Sequence, residues 1–430
     1  MKQYKMHIEL YEIRGKLLQF SKQFDTCFFY DSNAEVNNAT PLSYRSYDIL
    51  LALGKKQEIN FKNGYVFNDL ETFQNNNKTW LFGYLSYDLK NEIEVLYSSN
   101  NDALNLAEAE FVEPQIIISL NGNEITVTVL DTQFNANKIA EQISNIIPLT
   151  ENELPSSLIK ANTTESEYLK VFESLQKEIA YGNIYEINYC ISFQSELKHH
   201  HYEALYLKLN EISKAPFSAF VKVNNCVVVS ASPERFIKKA GNKIISQPIK
   251  GTAKRGFSNE ADEELKTKLF NNQKERSENV MITDLVRNDL SKHAARNSVK
   301  VEELFGIYTF KQVHQMITTV SAVLNDESNY INAIKDAFPM GSMTGAPKIM
   351  AMKLIEQHEQ MKRGLYSGAL GYIDPNHNYD FNVLIRSIII NKTTNKAQFC
   401  VGSAITAKAN AVDEYQECLL KANAMFKVLS

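Results

Sequence analysis

Apolar positions in the first 150 residues fall in short runs of β-branched and aromatic residues, separated by turns rich in asparagine, aspartate and glycine. One such turn, Asn121-Gly122-Asn123, separates the apolar run 116–120 from the run 125–130 and predicts a β-hairpin. The polar stretch 150–157 that follows has the composition of a linker. The pattern therefore predicts a β-rich N-terminal region over residues 1–150.

Beyond residue 160 the apolar spacing is that of helices alternating with strands. Thr164 and Glu167 have the spacing of a capping box, and the apolar face that follows them predicts a helix ending near Gly182. The other predicted elements are strands at 217–223, 226–230 and 243–249 and helices at 261–268, 274–290 and 415–428. Because this alternation lacks regular βαβ spacing, it predicts an α+β fold with antiparallel sheets.

The composition limits the classes of function. The chain has 430 residues, 44% hydrophobic and 22% charged, with a formal net charge of −4. No basic surface is expected for nucleic acid or an anionic membrane, and no apolar run approaches the roughly 18 residues of a membrane span. Five cysteines without a CxxC pair favour a reducing compartment over a disulfide framework. We therefore expect a cytoplasmic protein that binds neither nucleic acid nor membrane.

Two residues sixteen positions apart have the side chains of a nucleophile and a general acid. Lys250, in the segment Gln247–Thr252, follows an apolar strand, and burial in a cleft would lower its pKa and free its amine. Glu234, expected on a neighbouring strand, would act as an acid if burial raised its pKa. The alternatives are a solvated lysine ahead of a turn and a local pair between Glu234 and Arg235.

Two predicted helices each carry a pair of glutamates three residues apart. Glu275 and Glu278 lie on one helix face, Glu414 and Glu417 lie on the other, and Lys421 follows one turn after Glu417. Four converging carboxylates would suit Mg²⁺, with waters and substrate oxygens completing its octahedron. Two solvated helix faces are the alternative interpretation.

Two further segments are suited to binding anions. Residues 338–348 offer backbone N–H groups and hydroxyls before a helix expected to start at Pro347, although they depart from the phosphate-loop pattern. Arg386, in a strand-like run, is suited to bind a carboxylate through two hydrogen bonds, with a structural Arg–Asp pair as the alternative. Together with the residues above, these segments predict a pocket for a small dicarboxylate. The chain lacks the motifs of glutaminases, NAD enzymes and zincins.

The order of these segments resembles the chorismate-utilising family, which includes anthranilate synthase component I, aminodeoxychorismate synthase component I, isochorismate synthase and salicylate synthase. The resemblance covers about residues 160–430 and is carried by Gly182–Asn188, Ser232–Glu234, Gln247–Thr252, Glu278–Asp289, Gly341–Lys348, Tyr366–Ala369, Arg386 and Glu414–Glu417. It implies a large antiparallel β-sandwich flanked by helices, as in anthranilate synthase component I. Residues 1–150, with a looser match at Leu81–Asp88, would belong to the same sandwich, and residues 160–430 would form the chorismate-binding catalytic region.

Single positions indicate which chemistry the resemblance implies. Aminodeoxychorismate synthases carry lysine before Gly-Thr, as this chain does at Lys250, whereas anthranilate and isochorismate synthases usually carry alanine. Isochorismate and salicylate synthases place a water-activating lysine where this chain has Glu186, which argues against hydration at C2. A histidine that anthranilate synthases use in eliminating pyruvate aligns with Gln315, directly after His314.

The implied activity is conversion of chorismate and ammonia to 4-amino-4-deoxychorismate for para-aminobenzoate and folate synthesis. Lys250 would attack C2 while Glu234 protonates the departing C4 hydroxyl, and ammonia would then add at C4 and expel the lysine. Ammonia would come from a separate glutamine amidotransferase subunit, and the product would pass to a separate pyridoxal-phosphate lyase. Anthranilate synthase component I and a catalytically silent chorismate-binding regulatory subunit are the alternatives.

The resemblance also implies the ligands of a metal ion and of the substrate. Mg²⁺ would be held by Glu278 and Glu417, with Glu275 and Glu414 in support. The residues expected at the ring carboxylate are Gly251, Thr252, Gly402 and Lys421, and those expected at the enolpyruvyl carboxylate are Arg386, Tyr366 and Ser342.

Overall fold

The computed structural model describes residues 2–7, 12–36, 44–150, 154–198 and 200–430. The strands in these ranges are β1 (Lys2–His7), β2 (Cys27–Asp31), β3 (Ile49–Leu53), β4 (Gln57–Glu58), β5 (Leu81–Leu85), β6 (Ala109–Glu113), β7 (Ile116–Asn121), β8 (Glu124–Val129), β9 (Ile159–Ala161), β10 (Glu186–Glu196), β11 (Phe217–Val223), β12 (Cys226–Ser232), β13 (Arg235–Ala240), β14 (Lys243–Gln247), β15 (Ile249–Lys254), β16 (Lys300–Thr309), β17 (Val313–Val323), β18 (Gly345–Ala346), β19 (Ala369–Ile373), β20 (Tyr379–Val383), β21 (Ser387–Asn391) and β22 (Lys396–Thr406).

The helices of the same ranges are α1 (Ile13–Ser21), α2 (Val66–Asn77), α3 (Lys90–Ile93), α4 (Ala136–Asn145), α5 (Glu165–Ala180), α6 (Tyr202–Ser213), α7 (Asn259–Asn271), α8 (Gln273–Ser291), α9 (Tyr330–Ala337), α10 (Lys348–His358) and α11 (Ala411–Leu429). Short 3₁₀ turns cover Tyr87–Leu89, Glu327–Asn329 and Gly341–Met343. None of the helices in the described ranges is long and apolar enough to cross a membrane.

The strands pair into two antiparallel sheets. The larger sheet has the order β1-β8-β7-β3-β2-β11-β12-β21-β22-β10-β18, with β9 also on β10. The second has the order β15-β17-β14-β13-β20-β19-β5-β6-β4, with β16 also on β17. Each sheet joins strands from both sides of residue 150, since β2 pairs with β11 and β5 pairs with β19. The α+β fold with large antiparallel sheets and flanking helices is therefore confirmed.

Both faces of the larger sheet are buried. Phe29 and Leu51 point into a core shared with α1, α4, α5, α6 and α11, whereas their neighbours Phe28 and Leu50 join the core shared with the second sheet. Successive side chains of a strand point to opposite faces, so a sheet covered on both sides requires apolar residues at nearly every position. This burial explains the continuous apolar runs of the N-terminal region.

Local signals in the sequence identified several elements correctly. The hairpin forms between β7 and β8, with Asn121 paired to Glu124 across its turn. Helix α5 begins after a complete capping box, in which the Thr164 hydroxyl accepts from the Glu167 backbone and Glu167 accepts from the Thr164 backbone. The helix predicted from Pro347 is α10, with that proline as its N-cap.

Other local predictions need correction. The strand predicted over 243–249 is two strands, because Pro248 has no N–H to donate and separates β14 from β15. The predicted linker 150–157 lies partly outside the described residues, namely at 151–153. All five cysteines are buried and free.

Candidate active site

All of the residues predicted to be catalytic, substrate-binding or metal-binding line one cavity between the edge of the second sheet, helices α8 and α11, and strand β22 of the larger sheet. They are Lys250, Glu234, Gly251, Thr252, Ser342, Tyr366, Arg386, Gly402, Lys421, Glu275, Glu278, Glu414 and Glu417. Their spread from residue 234 to residue 421 means that only the fold brings them together. The structure thus shows a shared location, whereas the role of each residue stays a prediction.

An irregularity in the β15–β17 ladder sets the direction of Lys250. The register shifts between Ile249 and Thr252, and Gly251 between them has φ +99°, a conformation that residues with a Cβ avoid. A Cβ on Gly251 would also lie 3.2 Å from the Glu275 carboxylate. Because a bulge re-aims the side chains around it, this glycine explains how Lys250 reaches the cavity.

Lys250 is buried, with a fractional exposure of 8%, and its Nζ donates to Glu186 Oε1 at 2.5 Å. Burial works against its charge, but the carboxylates of Glu186, Glu278 and Glu417 outweigh that effect and raise the pKa of Lys250 above its ordinary value. The sequence-based expectation of a lowered pKa is therefore wrong. Lys250 is an ammonium held by a carboxylate, and it is no surface lysine.

Glu234 lies between β12 and β13 rather than within a strand. Its side chain is buried, and the Ser342 hydroxyl donates to its Oε1 at 2.6 Å. Burial raises the pKa of Glu234 to about 7, which leaves much of it protonated at neutral pH. The local pair with Arg235 does not form, because Arg235 Nε binds Asp380 at 2.9 Å. Glu234 therefore has the environment of a general acid.

The glutamates of α8 and α11 face each other across the cavity. Glu278 and Glu414 are 7% and 3% exposed, so the solvated-face interpretation does not hold for them. Lys274 Nζ lies between these two, 2.9 Å from Glu414 Oε1 and 3.8 Å from Glu278 Oε1. Burial raises the pKa of Glu278 to about 7, whereas the Lys421 ammonium lowers the pKa of Glu417 below its ordinary value.

Arg386 differs from the strand position expected for it. It lies in the connection between β20 and β21 with φ +52°, and its side chain is only half-buried. The Arg–Asp alternative fails because Asp380, its nearest aspartate in the sequence, binds Arg235 and Lys238. Within the described ranges Arg386 forms no ion pair, so its guanidinium is available at the cavity wall for a carboxylate.

A family model described as chorismate binding enzyme matches residues 25–427. The chain belongs to this family. Aminodeoxychorismate synthase component 1 from Escherichia coli is 33% identical over 356 residues, covering 81% of this chain and 76% of that protein. An anthranilate synthase component I-like protein from Synechocystis is 31% identical over 357 residues, covering 81% and 72%. The crystal structure of anthranilate synthase component I from Streptococcus pneumoniae matches 88% of this chain and 91% of its own, with TM-score 0.76 and 23% identity, and shares the fold.

The charges of the side chains that line the cavity of this chorismate-binding enzyme decide whether a metal ion would fit there. Five carboxylates and four basic side chains line it, and Glu186 adds a sixth carboxylate beside Lys250. A dicarboxylate substrate would add further negative charge, which a divalent cation would offset. No group of three or more His, Cys, Asp or Glu side chains in the described ranges has metal-site geometry. Mg²⁺ needs only one or two protein carboxylates, so the donor set still fits it.

The neighbouring residues His314 and Gln315 point in opposite directions. Gln315 lines the cavity opposite Thr252, its partner in the β15–β17 ladder. His314 is fully buried outside the cavity, where Nε2 lies 2.8 Å from Asp262 Oδ1 and Nδ1 lies 2.9 Å from Thr309 Oγ1. The cavity therefore presents the Gln315 amide, and not the His314 imidazole, at this position.

Sequence reasoning missed two residues that contact members of the predicted site. Lys274, which bridges Glu278 and Glu414, was visible only as a lysine four residues before Glu278, a spacing typical of exposed helical pairs. Glu186 drew attention only by what it replaces in relatives, and its contact with Lys250 spans 64 residues of sequence. No local pattern predicts such a contact.

Proposed function

We propose that this chorismate-binding enzyme aminates chorismate at C4, giving 4-amino-4-deoxychorismate, as the name of its Escherichia coli relative indicates. The observation that carries the proposal is Lys250, buried in the cavity that also contains the acid Glu234. Chorismate and ammonia alone would not require an amine on the protein, but a covalent route through C2 does. Gln315 at the cavity wall adds support, because an amide is a poor base for eliminating pyruvate.

The substrate would lie between the two sheets with its carboxylates at opposite ends of the cavity. Arg386, with Tyr366 and Ser342, would bind the enolpyruvyl carboxylate. The ring carboxylate would meet the Lys421 ammonium, which already donates to Gly402 O at 2.8 Å, and the backbone of Gly251 and Thr252. Glu278 and Glu417, supported by Glu275 and Glu414, would hold Mg²⁺, which supplies positive charge to the ring carboxylate.

In the covalent route, the neutral Lys250 amine forms a bond to C2 and both ring double bonds shift. The C4–O bond breaks, and the hydroxyl leaves as water with the proton of Glu234. Ammonia then bonds to C4, both double bonds return to their original positions, and Lys250 leaves C2 as an amine. The new ammonium at C4 returns a proton to Glu234. The enolpyruvyl group stays attached throughout.

Ammonia would be delivered by a separate glutamine amidotransferase subunit. The Escherichia coli relative is named component 1, which fits a two-component synthase. The chain itself carries no glutaminase motif. The product, which still bears its enolpyruvyl group, would pass to a separate pyridoxal-phosphate lyase for conversion to para-aminobenzoate.

Incubation of the pure protein with chorismate, Mg²⁺ and an ammonium salt at mildly alkaline pH is expected to yield 4-amino-4-deoxychorismate, identified by liquid chromatography and mass spectrometry. Ammonium replaces the partner subunit, so glutamine alone should give no product in the matched control. Anthranilate as the product would instead assign anthranilate synthase activity. Chorismate binding without turnover under these conditions would point to a regulatory subunit.

Glu234→Gln is expected to lower kcat by about 10²-fold, because the amide keeps the shape of the side chain but cannot release a proton. In the wild type, kcat/KM should fall as pH rises through about 7, since burial raises the pKa of Glu234 to that value and only its protonated form acts. This fall in kcat/KM above pH 7 should disappear in the variant when free ammonia is held constant. Glu278 also has its pKa raised to about 7, but it would act as a carboxylate, so its effect has the opposite sign. If Glu234→Gln kept both the wild-type rate and the fall in kcat/KM above pH 7, Glu234 would not be the general acid.

A further inference from the structure

The contact between Lys250 and Glu186 is a buried ion pair across the two sheets. Glu186, 1% exposed, begins β10 in the larger sheet, where its backbone pairs with Thr406 on one side and Ala346 on the other. Lys250 belongs to the edge strand β15 of the second sheet. The pairing of β10 with β22 and β18 therefore fixes the position of the carboxylate that accepts the Lys250 hydrogen bond.

One oxygen of the buried Glu186 carboxylate has no hydrogen-bond partner within the described residues. Its Oε1 accepts from Lys250, and its Oε2 is buried with no hydrogen-bond partner within the described residues. A buried acceptor without a partner is costly, and this oxygen is open to receive the proton that Lys250 gives up. The pair can therefore exist as ammonium and carboxylate or as amine and carboxylic acid, with the same number of protons.

The proposed amination requires the second of these forms. An ammonium has no lone pair to attack carbon, and the hydrogen bond of Lys250 Nζ goes to Glu186. Four other carboxylates act on Lys250 through space, namely Glu234, Glu275, Glu278 and Glu417. None of these has a hydrogen bond or an ion pair with its Nζ, whereas Glu186 does.

We propose that Glu186 is the proton acceptor that converts Lys250 into a nucleophile, an assignment that rests on the C4 amination proposed above. One proton moves from Lys250 Nζ to Glu186, and the neutral amine then bonds to C2 while water leaves from C4 with the proton of Glu234. When ammonia bonds to C4, Lys250 departs as a neutral amine. It then recovers its proton from Glu186, so the pair ends the cycle as it began.

The proposal predicts a particular pH dependence for Glu186→Gln. Without an acceptor, the Lys250 proton must go to solvent, so the fraction of neutral amine rises about tenfold per pH unit below the pKa of Lys250. At pH 7.5 kcat should be lower than in the wild type by about 10²-fold, and the deficit should shrink as pH rises. The wild-type pair transfers its proton internally, so the wild-type kcat should lack this rise.

Glu203→Gln serves as the matched control. Glu203 is another buried glutamate that faces a lysine, with its Oε1 3.5 Å from Lys222 Nζ, and neither residue lines the cavity. Its loss should leave the pH profile of kcat unchanged. A deficit in Glu186→Gln that stays constant at all pH values would mean that Glu186 only supports the structure, and would overturn the proposal.

Glu186→Asp tests the same idea if the glutamine variant fails to fold. It keeps a carboxylate and should retain the shallow wild-type pH profile even where its rate is lower. A steep, glutamine-like profile in a folded aspartate variant would contradict the proposal. The wild-type assay separates the two hypotheses: 4-amino-4-deoxychorismate from the wild type with an unaltered profile in Glu186→Gln rejects the Glu186 role alone. Absence of that product from the wild type rejects the proposed function.

Discussion

Lys250→Ala is expected to slow formation of 4-amino-4-deoxychorismate by at least about 10³-fold, because the route through a C2 adduct disappears with its nucleophile. The methyl side chain leaves space beside C2 in the cavity. Direct attack of ammonia at C2 should therefore yield a small amount of 2-amino product. Product identity and rate are measured together by chromatography with free ammonium and saturating chorismate.

Lys250→Arg separates the nucleophile from the charge. Arginine keeps a cation opposite Glu186 but stays protonated, so it should be as inactive as alanine while binding chorismate more like the wild type. Intact-protein mass spectrometry of the wild type without ammonia should detect an adduct with the mass of chorismate less water. Digestion should then place this adduct on the peptide that contains Lys250. Wild-type rates of C4 amination in either variant would remove the covalent role.

Much of the fold could be predicted because its signals are local. The β7–β8 hairpin depends on one short turn, and the capping box of α5 lies within four residues. The order of strands in the sheets has no such local signal. Strand β5 pairs with β19 nearly three hundred residues away, and β2 pairs with β11 in the same sheet that contains β1.

The candidate site divides in the same way. Residue types and their order in the chain predicted a set of site residues, and all members of that set line the cavity. The protonation state of Lys250 could not be predicted, because the carboxylates that raise its pKa come from β10, α8 and α11, far apart in the sequence. A lysine in a cleft would lose its proton by burial alone, but here neighbouring charge is the stronger effect.

The position of Arg386 gives the clearest failure of a local pattern. The apolar run around it is typical of a strand, but the chain turns at this residue with φ +52°. The run continues as β20 before it and as β21 after it, in different sheets. The connection between the sheets therefore lies at the cavity wall and presents the guanidinium there.

Removal of the divalent cation is expected to abolish turnover, with a loss on the order of 10³-fold, because the substrate carboxylate would otherwise enter a cavity with excess negative charge. Glu278→Gln should weaken Mg²⁺ binding in the presence of chorismate, measured by titration calorimetry. The matched variant Glu173→Gln, on the outer helix α5, should leave Mg²⁺ binding unchanged.

The pH dependence of this binding follows from the glutamate itself. Burial raises the pKa of Glu278 to about 7, and only the carboxylate form attracts the cation, so Mg²⁺ affinity should be full above pH 7 and decline as pH falls below it. The decline should approach tenfold per pH unit if this one group controls it, and it should be absent from Glu278→Gln, whose amide does not titrate.

Lys274 bridges Glu278 and Glu414 in the structure, so the cation must compete with its ammonium for these oxygens. Lys274→Met should therefore strengthen Mg²⁺ binding, whereas full activity in EDTA would exclude a metal at Glu278 and Glu417.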